Sequence, residues 1–185
     1  MYHEIRWTLE KIQKRLELIA PFVYARQDIL PPFHYCRLDG PLSPPPVGNA
    51  VDDSTWQVIA PNTYWGEWMT DFALRTTFTV PQEWGKERPI ALYLPLGEAG
   101  DFSHPEALVH IDGVVYAACD RHHQEVLLKP AWTDGTPHTL ALHGWSGLGG
   151  AEHGDFFTKM YTVSYTHLRA HETVLDLVCR LLLEK

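Results

Sequence analysis

From Trp56 onward the apolar residues fall at every second position, in short runs that stop at glycine or proline. Phe72, Leu74, Thr76, Phe78 and Val80 form one such run, closed by Pro81; Ile90, Leu92, Leu94 and Leu96 form another, closed by Gly97. A period of two places alternate side chains on one face of a strand, so both runs predict half-buried β-strands. Between Val109-His110-Ile111 and Val114-Val115-Tyr116 stands Asp112-Gly113. That pair predicts a two-residue hairpin, because a type I′ turn needs positive φ and glycine adopts it without steric cost. Glu125–Leu128 and His138–His143 read as further strands. No crossover helix separates these segments, so an antiparallel sandwich or jelly roll is expected rather than a parallel sheet. The chain shows no internal repeat.

The N-terminal part follows another rule. Ile5, Leu9, Ile12, Leu16 and Ile19 recur at spacings of four and three with charged residues between them. This predicts one amphipathic helix, ending at Pro21, within a segment spanning residues 1–30. Residues 31–55 contain Pro31, Pro32, Pro41, Pro44, Pro45 and Pro46 together with Gly40 and Gly48. Each proline lacks an amide donor, so this stretch reads as an extended connector, neither helix interior nor central strand. The sandwich is assigned to residues 56–162.

Composition narrows the function. A chain of 185 residues can bury roughly two thirds of its unfolded surface. It is too short for a catalytic barrel of roughly 250 residues. With 15 Lys and Arg against 23 Asp and Glu, a net charge of −8 and no basic cluster, phosphate-backbone binding is excluded. Cys36, Cys119 and Cys179 are isolated and odd in number, giving neither metal-type CxxC spacing nor a disulfide framework. The first seven residues carry His3, Glu4 and Arg6 and no apolar run, unlike a signal peptide. A cytoplasmic location is the expectation.

Residues 163–185, VSYTHLRAHETVLDLVCRLLLEK, break with the rest. Read literally, Val174, Leu175, Leu177, Val178, Leu181 and Leu182 form the apolar stripe of a helix docked on the sandwich. Yet VSYTHLRAHET resembles the frame translation of a transposon-type sequencing-library adapter, and DLVCRLLLEK resembles the flow-cell primer that follows the index. On that reading residues 163–185 derive from an adapter and the natural sequence stops near Thr162. No functional argument is drawn from them.

The series KIQKRLELI, FALRTTFTVPQEWGKE, LVHIDG, DRHHQEVLL and LALHGWSGLGG resembles, in that order, the N-terminal β-sandwich region of class II α-mannosidase. The family is glycoside hydrolase family 38, in its cytosolic and vacuolar type, and the resemblance covers residues 1–162. It implies a mainly β fold: an antiparallel β-sandwich or jelly roll, galactose-binding-like, preceded by one amphipathic helix. It further implies a parent enzyme that is a retaining, zinc-dependent α-mannosidase removing terminal α-linked mannose from oligosaccharides. In such enzymes one carboxylate acts as nucleophile and another as acid and base. The family's zinc is held by His and Asp of a barrel that follows the sandwich. No catalytic and no metal-binding residue is therefore assigned here, and this chain is expected to be inert with no cofactor of its own. The implied partners are the chain's own catalytic barrel, mannose-containing oligosaccharide through the parent enzyme, and a second copy of the chain. Nucleic acid and membrane are not among them. A free-standing carbohydrate-binding module is the alternative.

Candidate contact residues, for carbohydrate or for another domain, are Trp65, Trp68, Asp120, Arg121, His122, His123, Glu125 and Trp145. His110-Ile111-Asp112 has the HxD spacing of a zinc pair, but Asp112 stands where a hairpin turn wants it. DRHHQE could supply imidazoles and carboxylates to a metal. Adjacent histidines on a strand face opposite sides, however, so turn capping with an Arg121–Glu125 pair, or an interdomain contact, is the plainer reading. Trp56, Tyr64, Trp65, Trp68 and Trp84 could present ring faces to pyranose CH groups or fill the core. Trp145, flanked by glycines in GWSGLGG, reads as part of a loop meeting another surface. That glycine stretch lacks GxGxxG order and a following helix, and is no phosphate loop.

Overall fold

The period-two runs become strands of two antiparallel sheets facing each other across one apolar core. The computed structural model describes residues 8–60, 64–67, 69–84, 88–96, 104–147, 156–157 and 161–165. Helix α1 (Thr8–Ile19) precedes β1 (Tyr24–Ile29), β2 (Phe33–Arg37), β3 (Gln57–Ile59), β4 (Tyr64–Trp65), β5 (Asp71–Phe78) and β6 (Ile90–Tyr93). There follow β7 (Glu106–Ile111), β8 (Val114–Asp120), β9 (Glu125–Leu127), β10 (His138–Trp145), β11 (Phe156–Phe157) and β12 (Tyr161–Tyr165). One sheet has the order β1-β12-β6-β9, the other β3-β2-β5-β10-β7-β8, and β4 pairs with β11. The fold is thus mainly β, a sandwich with one N-terminal helix.

The alternation predicted from sequence is the alternation that packs. Phe72, Leu74, Phe78 and Val80 from one run, and Ile90, Leu92, Leu94 and Leu96 from the other, are all buried in a single cluster with Val109, Ile111, Leu140 and Leu142. Each such side chain contributes about 1.5–3 kcal/mol by leaving water, so these facing layers hold the sandwich together. The helical spacing does form α1, and of its apolar stripe Ile12, Leu16 and Ile19 are half-buried while Leu9 is 79% exposed.

Two segment assignments change. The proline-rich stretch contains β2, an interior strand paired with β3 on one side and β5 on the other. Phe33–Arg37 carries no proline, and a proline removes a donor only at its own position; Phe33 and Tyr35 then bury on the core face. The N-terminal segment likewise contains β1, an edge strand with five of its six residues exposed. A strand wetted on both faces has no apolar alternation to read.

At the other end, β12 lies between β1 and β6 and includes Val163, Ser164 and Tyr165. The adapter-like block thus begins inside a ladder, whose hydrogen bonds are made by backbone and are indifferent to which side chains stand there. The leucine-rich remainder lies outside the described residues.

The outer face of the six-stranded sheet is covered at one end by the connector. Arg75 on β5, only 4% exposed, donates from Nε to Asp53 Oδ2 at 3.1 Å and from Nη1 to the carbonyls of Gly48 at 2.9 Å and Pro46 at 3.4 Å. A buried guanidinium needs its donors matched, and these bonds hold Pro46–Asp53 against the sheet as a strap.

Candidate functional site

At the opposite end of that face the register brings four side chains into a row. Trp145 on β10 is paired with Asp71 on β5 and with Glu106 on β7, and Glu106 is paired with Asp120 on β8. Directly paired residues share a face, so Asp71, Trp145, Glu106 and Asp120 all stand on the same side. The neighbouring row, Phe72, Ala107 and Cys119 with Gly144, points into the core, so this one points out. Gly144 is required there: a Cβ would sit 2.3 Å from the Glu106 carbonyl oxygen and 2.8 Å from Phe72 Cζ. A groove of about 330 Å³ runs beside the row, lined by Pro41, Asp71, Glu106, Leu108, His143 and Trp145 among others. A ring flanked by carboxylates can pack on an apolar CH face while the carboxylates accept hydrogen bonds from hydroxyl or ammonium groups.

Arg121, His122 and His123 belong to the turn between β8 and β9, which is closed on itself, and Glu125 opens β9. Asp120 Oδ1 accepts the backbone N–H groups of His122 at 2.6 Å and His123 at 2.7 Å, and His123 Nδ1 lies 3.0 Å from Asp120 Oδ2. The His123 side-chain bond, with those two backbone donors, pulls the Asp120 carboxyl down to about 2. Arg121 Nε donates to His122 Nε2 at 3.0 Å. Glu125 accepts from the Tyr24 hydroxyl of β1 rather than pairing with Arg121, which corrects the expected ion pair. Burial, reinforced by that carboxylate, pushes the Tyr24 phenol up.

Asp112 sits in the hairpin turn, with φ of +52° and Gly113 at +79°. It also does what no local pattern signals. Asp112 Oδ1 accepts the Thr139 N–H at 3.0 Å, and Oδ2 lies 2.8 Å from His138 Nδ1, whose Nε2 faces Asp134 Oδ1 at 3.2 Å. His138 is thereby clamped between two carboxylates, tying the turn to β10. His110 turns to the Leu108 carbonyl at 3.3 Å, and desolvation lowers its basicity, so the HxD spacing does not make a ligand pair. Among the described residues no group of three or more His, Cys, Asp or Glu is arranged to hold a metal ion.

Of the tryptophans, Trp65 is 4% exposed, edge-on to Phe72 at 5.0 Å and 5.8 Å from Tyr35. It fills the core and offers no ring face. Trp68 lies outside the described residues. Trp145 is half-buried in the outward row, so among the candidates it and Asp120 come together there. Sequence reading missed Asp71 and Glu106, because only strand register brings them beside Trp145.

No protein-family model and no curated protein matches this chain. Solved structures do. A β-glucuronidase of Bacteroides uniformis aligns over 75% of this chain and 18% of its own, with 19% identity and a TM-score of 0.51. A β-glucuronidase from Ruminococcus gnavus, in complex with an N1-substituted uronic isofagomine, aligns over 78% of this chain and 30% of its own, with 11% identity and a TM-score of 0.52. The fold is therefore a β-sandwich of a kind that glycosidases carry. This chain spans less than a third of the length of either relative, and at these identities the likeness is one of fold.

Proposed function

We propose that this chain is a non-catalytic β-sandwich of a cytoplasmic carbohydrate-cleaving enzyme, an α-mannosidase that removes terminal α-linked mannose. The observation that carries the reading is the sandwich itself. Three quarters of the chain matches, in fold, small portions of two β-glucuronidases, and the five ordered motifs resemble the equivalent region of α-mannosidases. In this reading the reaction belongs to a partner barrel, with a zinc ion there to bind the sugar and two carboxylates to divide nucleophilic and acid–base work. The sandwich packs on that barrel, and the outward row around Trp145 is its contact surface.

The test is to read the source DNA past codon 160, express the extended protein and assay it on aryl α-mannoside and aryl β-glucuronide. Mannose release that a chelator abolishes, with residues 1–185 alone inert, is the expected result. A native stop codon just past Thr162, or an extended enzyme cleaving the glucuronide instead, would sink the α-mannosidase assignment. A second reading, a free-standing carbohydrate-binding module, is favoured by the Trp145 groove alone. A tryptophan fluorescence change on adding methyl α-mannoside to residues 1–185, lost in Trp145→Ala, would support it.

A further inference from the structure

The strapped end of the six-stranded sheet holds a concavity distinct from the Trp145 groove, of about 500 Å³. Its floor is the outer sheet face: His34, Arg75, Thr77, Thr139 and Val58 from four adjacent strands. Its walls are Pro31 and Pro32 on one side and Asn49 and Asp53 of the strap on the other. We propose that this concavity binds a small, neutral, polyhydroxylated ligand of one or two pyranose rings, separately from any surface used to meet a catalytic domain.

Charge decides the ligand class. The charge of Arg75 is balanced by Asp53, and its Nε and Nη1 are taken by that carboxylate and two carbonyls, so the concavity has no surplus positive charge to draw an anion. Asp53 in turn faces both Arg75 at 3.1 Å and His34 Nδ1 at 3.2 Å, so it is not an open seat for a cation. What remains is a wall of balanced charge offering both donors and acceptors. Asn49 supplies an amide with both roles, and the hydroxyls of Thr77 and Thr139, directly paired across β5 and β10, donate and accept. Sugar hydroxyls have that same double capacity. Val58, 59% exposed, and the rings of Pro31 and Pro32 give the apolar patches that the CH groups of a pyranose require. Proline rings on one wall and the Arg75-pinned strap on the other are rigid, so little ordering opposes binding.

The volume fits the class, since ligand sites usually run from roughly 300 to 1,000 Å³. The choice of sugar as probe rests on the carbohydrate-active reading above; the site's geometry does not. Isothermal titration of residues 1–185 with methyl α-mannoside and with mannobiose, at up to about 10 mM, should give a saturable heat with a Kd of about 1 mM. The double variant Thr77→Val, Thr139→Val keeps the shape and β-branching and should weaken binding at least about tenfold with an unchanged melting temperature. Trp145→Ala should leave the affinity alone. No heat, tighter binding of free glucuronate than of the neutral sugars, or a loss that follows Trp145 instead of the threonines would each overturn the proposal. Because the extended enzyme's activity is assayed separately, failure here and failure of the α-mannosidase reading are distinguishable.

Discussion

The two ends of one sheet face have been finished in opposite ways. At the Arg75 end a proline-rich strap lies across the strands, and a cation that is 4% exposed is matched by a carboxylate and two carbonyls. At the Trp145 end, about four residue pairs further along the β5–β10 ladder, three carboxylates and an aromatic ring face outward beside a shallow groove. The contrast teaches that one sheet face can pin a buried charge under a strap at one end and leave carboxylates on its surface at the other. The strapped end matches its buried cation within the fold, whereas at the open end Asp71 and Glu106 stand outward beside the Trp145 ring.

The most severe way to break this comparison is Gly144→Val. The added side chain meets the Glu106 carbonyl and the Phe72 ring, neither of which can yield cheaply, so the β7–β10 seam under the open end should lose about 3 kcal/mol or more. Urea unfolding would read this directly, and a loss near zero would mean the open end is not rigidly supported. Arg75→Ala tests the other end. It strands Asp53 beside His34 and frees two strap carbonyls, with an expected loss of about 2–3 kcal/mol, at the low end for a buried pair because Asp53 is 28% exposed. Limited proteolysis should show new cleavage within residues 46–53; an unchanged digestion pattern would deny the strap its anchor.

Trp145→Ala sharpens the contrast from the opposite side, costing under about 1 kcal/mol in the same urea assay because the ring is not part of the core cluster. The smallest expected effect is that of acid. Asp120 and Asp134 both have carboxyls drawn down to about 2, by the His123 side chain and by the Thr136 hydroxyl respectively. A depressed carboxyl stabilises the fold above its unfolded value near 3.8 and loses that contribution as pH falls toward about 2. Both side chains are more than a third exposed, 38% for Asp120 and 46% for Asp134, so solvent screens the gain. The urea midpoint should slip modestly between pH 4 and pH 2, and the Asp120→Asn, Asp134→Asn pair should slip less across that window.

The sequence was most legible for the face that meets the apolar core, even where Ala73, Arg75 and Ala91 bury on the other face as well. Phe72 to Val80 and Ile90 to Leu96 wrote their burial in a period of two, and Asp112-Gly113 announced its turn because only a few residues tolerate positive φ. It was least legible where burial does not alternate. Tyr24–Ile29 is wet on both faces, and Phe33–Arg37 hid between prolines that mark the flanks of a strand as readily as a linker. The long-range polar sets stayed invisible: Asp71 and Glu106 reach Trp145 through strand register, Asp53 reaches Arg75 from the strap and Asp112 reaches His138 from a turn, and no local spacing encodes any of these.

The place of β12 between β1 and β6 has a consequence for how this chain emerges from the ribosome. The strand that joins them is made about 130 residues after the end of β1, so during synthesis Tyr24–Ile29 and Ile90–Tyr93 must each wait with ladder groups unmatched. Nascent chains halted before residue 161 would expose both edges to one another's copies, and should be the species that chaperones and aggregates collect.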